Sequence, residues 1–155
     1  MKLRVVALGH RMPDWVTAGW DDYARRLPRE FALELFALKP ESRESGKPVA
    51  RLLVAEAARI AAACKGALTV ALDEHGRPWT TRELAERLAR WRDDARDVAF
   101  VIGSADGLAE SVKRDAQAVV ALSAMTLPHG LVRVLLAEQL YRATSLLAGH
   151  PYHRD

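Results

Sequence analysis

Two loops of small residues follow apolar segments in the second half of the chain, and they are the first candidates for chemistry. The turn 103–107 (Gly-Ser-Ala-Asp-Gly) follows the apolar segment 98–102, and the loop 123–129 follows the apolar segment 119–122. If both segments are parallel strands, both loops lie at one edge of a sheet, where open α/β sheets bind ligands. We therefore interpret them as a small-molecule site. The simpler alternative is that glycines after strands form ordinary turns.

A long C-terminal helix, 131–147, carries further polar candidates. His129 and Arg133 are four residues apart, as are Glu138 and Arg142, so each pair shares one helix face. The alternative for the second pair is a simple intrahelical ion pair. The rest of the helix is apolar around most of its circumference, which predicts burial on several sides, by the sheet and by a partner subunit.

The elements that must position these residues alternate between strand and helix. Apolar runs predict five strands, at 3–8, 31–38, 67–72, 97–102 and 119–122. Helices are expected at 13–27, 49–65, after the capping-box pair Thr80 and Glu83, after residue 107 and at 131–147. Residues 73–78 are expected to turn away from the third strand. The pattern predicts a single domain, 1–155, with a three-layer α/β architecture and a mainly parallel sheet.

Composition narrows the class of protein. The net charge is +3, and 18 of the 23 basic residues are Arg, which favours partners with phosphates, although Arg enrichment also reflects genome composition. No apolar run is long enough for a signal peptide or a membrane span. Cys64 is the only cysteine, which excludes a disulfide framework and a cysteine-based metal site. We predict a cytoplasmic protein without metal or membrane partner.

Several motifs, in one order, carry a resemblance that covers essentially the whole chain. They are Met-Pro-Asp-Trp-Val at 12–16, Ile-Gly at 102–103 with Gly-Leu at 107–108, Leu-Ser-Ala-Met-Thr-Leu-Pro-His at 122–129, Arg-Val-Leu-Leu-Ala-Glu-Gln-Leu-Tyr-Arg-Ala at 133–143, and His-Pro-Tyr-His-Arg at 150–154. In these motifs the chain resembles the ribosomal RNA large subunit methyltransferase H family, also called the YbeA family, of the SPOUT superfamily.

The resemblance implies both a fold and an activity. The fold is a five- to six-stranded α/β sheet with a C-terminal trefoil knot, in a homodimer. The activity is S-adenosyl-L-methionine-dependent methylation of N3 of a pseudouridine, position 1915 of 23S ribosomal RNA, in the assembled bacterial ribosome. Sequence pattern alone indicates an unknotted doubly wound sheet, so the knot is expected only from the family.

The resemblance also implies the cofactor contacts. Carried over by position, they are Leu72, Gly103, Leu122, Ser123, Ala124, Met125, Thr126 and Leu127. This agrees with the interpretation from residue types, because small residues let the backbone approach an adenosine closely. One departure is Ser104, where the family usually has a second glycine. Serine is strained there if the position requires a left-handed backbone.

Methylation of N3 requires that this nitrogen lose its proton. The tail offers His153 as a base, Arg154 to stabilise negative charge, and Tyr152 to stack on a base. The resemblance predicts that the tail folds over the cofactor site and that the site is composite, formed across the dimer interface. His129 is the competing base candidate.

Substrate contacts follow from the distribution of basic residues. Arg133 and Arg142, together with His129, are the substrate-binding candidates, and Arg11, Arg154 and the loop 39–47 are further phosphate contacts.

Two alternatives stay open. One is a ribosome-binding factor that kept the fold and lost catalysis. The other is a dinucleotide-binding oxidoreductase, which is disfavoured because the glycine turn follows the fourth strand and lacks a full Gly-x-Gly-x-x-Gly pattern.

Overall fold

The chain alternates strands and helices along its whole length. The structure is a computed structural model that describes residues 1–154, apart from the side chain of Ser45. Its strands are β1 (Lys2–Leu8), β2 (Ala32–Leu38), β3 (Leu68–Pro78), β4 (Val98–Ile102) and β5 (Ala118–Ala121). Its α-helices are α1 (Asp14–Ala24), α2 (Val49–Ala63), α3 (Thr81–Asp93), α4 (Glu110–Asp115) and α5 (His129–Leu147).

The five strands form one parallel sheet in the order β2-β1-β4-β3-β5. The central strand β4 is buried along its whole length, and β1 is buried over most of its length. Strands covered on both faces need continuous apolar sequence, which explains why these segments do not alternate with polar residues. The predicted α/β class and parallel sheet are confirmed.

Helices cover both faces of the sheet. The side chains of α1, α3 and α5 pack against one face in a large apolar cluster. Those of α2 form a second cluster on the other face, with Leu108 and Val112 of the α4 region. Helix α5 contacts both α1 and α3. Much of the apolar surface of α5 is therefore covered by its own chain. A partner subunit would have to cover a smaller part of this surface than the sequence predicted.

Strand β3 is longer than predicted. It pairs with β5 at Leu72 and again at Arg77, and the residues between them form an irregular bulge. Gly76 lies in this bulge, where a Cβ would be 2.7 Å from the backbone nitrogen of Val120. The prediction that 73–78 turns away from the sheet was wrong, because a glycine without a side chain lets this polar segment cross close to β5.

Helix ends follow local sequence signals. The Thr80 hydroxyl accepts a hydrogen bond from the amide of Glu83, and the Glu83 carboxylate accepts one from the amide of Thr80, which confirms the predicted capping box. Helix α5 begins at His129, directly after Pro128, two residues earlier than predicted. Within residues 1–154, no helix combines the length and apolar character needed to cross a membrane.

Candidate functional site

A cavity of about 450 Å³ lies beside the bulge of β3 and the carboxyl ends of β4 and β5. Its volume is within the range of roughly 300–1,000 Å³ that is usual for small-molecule sites. Seven of the eight residues expected at the cofactor line it: Leu72, Gly103, Leu122, Ser123, Met125, Thr126 and Leu127. Ala124 lies in the same loop but is not among the lining residues. These residues therefore line one cavity at the predicted edge of the sheet, and its use as a small-molecule site stays a prediction.

The glycine turn 103–107 forms one wall of the cavity. The amide of Gly107 donates a hydrogen bond of 2.9 Å to the carbonyl of Ser104, which closes the turn. Gly107 has the left-handed φ of 81°, and Ser104 does not adopt a positive φ. The strain considered for serine at position 104 is therefore absent. Gly103 is required for another reason, since a Cβ there would lie 2.5 Å from the carbonyl oxygen of Gly107.

The loop 122–127 forms the opposite wall. The Ser123 hydroxyl accepts a hydrogen bond from the amide of Met125 at 2.9 Å, which fixes the start of the loop. The Thr126 hydroxyl donates to the Glu74 carboxylate at 2.8 Å and so joins this loop to the bulge of β3. Met125 is 77% exposed at the rim. Sequence analysis missed the contribution of residues 73–75 to the lining, because it placed them in a turn leading away.

Carboxylates predominate among the charged groups around the cavity. Asp73, Glu74 and Asp106 line it, against a single ammonium group, Lys113. The Lys113 ammonium lies 3.6 Å from Asp73 and 2.9 Å from Glu110, and its pKa is raised, chiefly by the hydrogen bond to Glu110. A negatively charged wall favours a ligand that carries positive charge.

His129 lines the cavity from the first turn of α5. Its Nδ1 lies 2.8 Å from the carbonyl oxygen of Gly103, and its Nε2 lies 3.1 Å from Nε of Arg133. A carbonyl only accepts and a guanidinium only donates, so Nδ1 carries the proton and Nε2 accepts. Burial, followed by the charge of Arg133, lowers the pKa of His129. The imidazole is therefore neutral, with both nitrogens engaged.

Arg133 is only 2% exposed. Besides His129, its guanidinium donates to the carbonyl oxygen of Gly9, at the end of β1. Burial lowers its pKa below the ordinary value for arginine. The expectation that Arg133 contacts a substrate phosphate conflicts with this position, because the guanidinium is enclosed between the ends of β1 and β4 and the first turn of α5.

The C-terminal tail packs on the second half of α5 rather than over the cavity of its own chain. The Tyr152 hydroxyl donates to Glu138 at 3.1 Å, and the Arg142 guanidinium donates to the carbonyl oxygen of His153 at 3.2 Å. The Tyr152 ring lies 4.5 Å, centroid to centroid, from Tyr141. Burial and the hydrogen bond to Glu138 raise the pKa of Tyr152 to about 12, so its hydroxyl stays protonated.

The tail residues are therefore absent from the cavity lining. Tyr152, His153 and Arg154 do not contribute to it within one chain. That the tail covers the site, in a composite site formed across a dimer interface, stays a prediction. Glu138 and Arg142 form the intrahelical ion pair, at 2.6 Å, that was the simpler alternative. Arg142 therefore binds the tail of its own chain, through the carbonyl of His153. Arg11, another phosphate-contact candidate, is exposed near the end of β1.

Comparison with known proteins identifies the family. Residues 1–153 match the family described as "Predicted SPOUT methyltransferase". The chain belongs to this family.

Individual relatives agree with this assignment. The chain is 55% identical over 155 residues to the "Ribosomal RNA large subunit methyltransferase H" of Burkholderia mallei strain SAVP1, covering 99% of both chains. A crystal structure of a probable methyltransferase from Bordetella pertussis Tohama I aligns with a TM-score of 0.60, at 22% identity over 92% of this chain and 95% of that one. A probable methylase family protein from Haemophilus influenzae Rd KW20 aligns with a TM-score of 0.62 at 15% identity, over 97% and 69%. At these identities, the two structures support the fold alone.

No metal site accompanies the cavity in the part of the chain that the structure describes. Within residues 1–154, no three side chains of His, Cys, Asp or Glu are grouped so that they could hold a metal ion.

Proposed function

We propose that this SPOUT methyltransferase transfers a methyl group from S-adenosyl-L-methionine to N3 of a pseudouridine in 23S ribosomal RNA. The substrate would be position 1915 in the assembled ribosome, and the site of action the cytoplasm. The observation that carries the proposal is the cavity of about 450 Å³, which is lined by seven of the eight residues expected at the cofactor. The name and the 55% identity of the Burkholderia mallei relative support large-subunit ribosomal RNA as the substrate, and the pseudouridine N3 rests on the resemblance to the family.

The residues present fit the cofactor. When bound, S-adenosylmethionine supplies a methyl group on a sulfonium, which needs only alignment with the nucleophile. Backbone groups of the turn 103–107 and the loop 122–127 are available to hydrogen-bond an adenosine. The surplus of carboxylates at Asp73, Glu74 and Asp106 suits the positive charge of the sulfonium and the amino group.

The base that removes the N3 proton is not His129. A general base needs a free lone pair within reach of the proton. Nε2 of His129 already accepts from Arg133, and the depressed pKa of the ring disfavours protonation. We therefore assign His129 to orienting the Gly103 carbonyl and the start of α5, and we keep His153 as the proton acceptor and Arg154 as the stabiliser of negative charge.

The tail has to come from a second chain. Glu138, which binds Tyr152, is nine residues from His129, or about 14 Å along the axis of α5. One chain therefore has its cavity at the beginning of α5 and its tail near the end. Antiparallel pairing of two α5 helices would bring the tail of each chain to the cavity of the other.

Uncovered apolar side chains on α5 support a homodimer. Leu131 and Leu135 are only half-buried and lie outside the core cluster, four residues apart on one helix stripe. Trp15 of α1 is 56% exposed, although α1 packs against α5. Exposed or half-buried apolar side chains of this kind are what a self-complementary interface would cover.

The trefoil knot is also proposed here. A knot of this kind requires the chain after β5 to pass through the loop after β3 before it forms α5, which contacts α1 and α3. The hydrogen bond from Thr126 to Glu74 joins the loop after β5 to the bulge of β3, and Gly76 of that bulge lies against Val120 of β5. Such contact is compatible with threading of the chain end.

The direct test is methylation of ribosomes that lack the modification. The protein is expected to bind S-adenosylmethionine in calorimetry and to add one methyl group to the pseudouridine, located by mass spectrometry of the digested RNA. Binding to ribosomes without cofactor uptake or methyl transfer would instead support the inactive ribosome-binding factor.

The composite site is tested by complementation. Gly103→Val damages the cavity, and His153→Ala damages the tail, so each homodimer is expected to be nearly inactive. Random pairing on co-expression yields about half mixed dimers, in which one of the two sites combines an intact cavity with an intact tail. We expect about a quarter of the parent activity. Co-expressed protein no more active than either homodimer would contradict the sharing of the site between chains.

A further inference from the structure

A buried carboxylate behind the glycine turn joins three separate parts of the chain. Glu56, on α2, is 2% exposed. Its Oε2 accepts hydrogen bonds from the amide of Glu41 at 2.9 Å and from the Arg43 guanidinium at 2.8 Å. Its Oε1 accepts from the Ser104 hydroxyl at 3.0 Å. One side chain thus links α2, the segment after β2 and the turn that lines the cavity.

Arg43 completes this cluster. Its Nε donates to Asp106 at 2.9 Å, and one of its terminal nitrogens donates to the Ser104 hydroxyl at 2.7 Å. The remaining N–H groups bind the two oxygens of Glu56 and the carbonyl of Glu41. All five guanidinium donors therefore have acceptors, a geometry that a lysine ammonium does not reproduce.

The contacts fall on the wall of the cavity. Ser104 and Asp106 both line it, whereas Glu56 and Arg43 do not. The turn itself is closed by a single backbone hydrogen bond, from Gly107 to Ser104. Ser104 and Asp106, two of the five residues of the turn, are therefore hydrogen-bonded on the side that faces away from the cavity.

We call Glu56, Arg43 and Ser104 the clamp. The charge state of Glu56 strengthens the hydrogen bonds of the clamp. Burial alone would raise its pKa, but hydrogen bonds from Arg43, the amide of Glu41 and Ser104 together hold the pKa below the ordinary value. The carboxylate therefore stays ionised at neutral pH, and it holds Arg43 and Ser104 by charge-assisted hydrogen bonds.

We propose that Glu56 and Arg43 are positioning residues that hold the turn 103–107, through Ser104 and Asp106, in the shape that receives the ligand. This inference rests on the proposed cofactor site. They act on ligand affinity and not on the transfer step, because neither touches the cavity. Ligand binding and the order of the segment around Arg43 are then linked, so each stabilises the other.

The experiment compares variants of the clamp with a matched control. Glu56→Gln keeps the shape and removes the charge, Arg43→Lys keeps the charge and removes the fork, and Ser104→Ala removes only the link to the turn. Arg59→Gln is the control, because Arg59 binds Glu41 and the carbonyl of Lys39 from the same helix but does not contact the turn.

Two measurements are made on each protein. In ligand-free protein, hydrogen exchange of the Gly107 amide is expected to accelerate about tenfold or more in the clamp variants and to stay at the parent rate in Arg59→Gln. The dissociation constant for S-adenosylmethionine is expected to rise roughly tenfold in the clamp variants. The methylation rate at saturating cofactor is expected to stay within about twofold of the parent in Glu56→Gln and Arg43→Lys, neither of which alters a residue that lines the cavity. Because Ser104→Ala removes one partly exposed hydroxyl, it tests the link even where Glu56→Gln does not fold.

The outcomes separate the two proposals. Parent-like exchange at Gly107 and parent-like affinity in both Ser104→Ala and Arg43→Lys would overturn the clamp. An equal effect of Arg59→Gln would overturn it as well, since general loosening of the segment after β2 would then suffice. A parent protein that binds no S-adenosylmethionine would refute the proposed function, and the exchange of Gly107 in the ligand-free variants would still decide whether the clamp holds the turn.

Discussion

A methyl group added at Gly103 is expected to displace the turn that lines the cavity. An ideal Cβ at this position would lie 2.5 Å from the carbonyl oxygen of Gly107 and 2.6 Å from its carbon, whereas ordinary contacts begin at 3.4 Å. The turn must therefore move by about 0.9 Å, the difference between these contact distances, because the obstacle is backbone and has no rotamer to change. Displacement of the turn, rather than entry of the new side chain into the ligand's space, is therefore the expected cause of weaker binding.

The expected cost of Gly103→Ala follows from this overlap. Overpacking of this kind costs about 1–3 kcal/mol, which lowers the melting temperature of a domain of this size by roughly 2–12 °C. Misplacement of a site by about 1 Å reduces activity by up to about a hundredfold. We expect calorimetry to show at least a tenfold weaker affinity for S-adenosylmethionine, within that bound of about a hundredfold.

The control for Gly103→Ala is Gly66→Ala. Gly66 has a φ of 80°, and no atom lies within 4 Å of the position that a Cβ would take, so alanine there adds backbone strain without a clash. That strain costs about 1–2 kcal/mol, at a position close to the start of β3 and therefore remote from the cavity. We expect Gly66→Ala to lose comparable stability with unchanged affinity. If Gly103→Ala loses stability but binds as tightly as Gly66→Ala, the shape of the turn does not determine ligand binding.

Three further predictions concern the elements around the cavity. Gly76→Ala should destabilise the protein in chemical denaturation by more than Gly103→Ala, because its Cβ would meet three backbone atoms of Val119 and Val120 at 2.7–2.8 Å, inside a paired strand that cannot shift as freely as the turn 103–107. Burial lowers the pKa of His129 in the folded protein, so below about pH 6.5 the unfolded chain binds a proton that the folded chain does not. The thermal stability of the parent should therefore fall as the pH is lowered below about 6.5. The His129→Gln variant should lack this dependence of stability on pH between about pH 5 and 8. Tyr152→Phe should leave the pH profile of methyl transfer unchanged up to pH 10, because the pKa of Tyr152 is already raised to about 12; a profile altered by this variant would contradict that protonation state.

The fold was largely predictable from sequence because its main elements satisfy local rules. The apolar runs of β1 and β4 have no polar alternation, which is typical of strands buried on both faces. The capping box at Thr80 formed as its spacing predicted. The extension of β3 was not predictable, because Asp-Glu-His-Gly-Arg-Pro has the composition of a turn. Its conformation depends on contact with β5, more than 40 residues away, which a local pattern does not contain.

The candidate site was likewise predictable from sequence only in part. Small residues after strands indicated where the loops would lie, and seven of the eight expected residues line the cavity. The clamp was not predictable, because Arg43, Glu56 and Ser104 are far apart in sequence and none of them stands out alone. Sequence analysis treated the loop that contains Arg43 as a phosphate-binding candidate and Ser104 as a departure from the family. Their hydrogen bond gives both residues a structural partner.

Two pairs on α5 have the same spacing and opposite environments. His129–Arg133 and Glu138–Arg142 are both four residues apart, so a helical pattern does not distinguish them. The second pair is a partly exposed ion pair, in which opposite charges satisfy each other. The first pair has no carboxylate, so the buried guanidinium depends on neutral acceptors, the Gly9 carbonyl and His129. A buried charge requires such hydrogen bonds to offset its desolvation, and this requirement keeps the His129 ring neutral and fixed. The residue pair that sequence suggested for substrate binding therefore joins α5 to the ends of β1 and β4, and burial together with the charge of Arg133 lowers the pKa of His129.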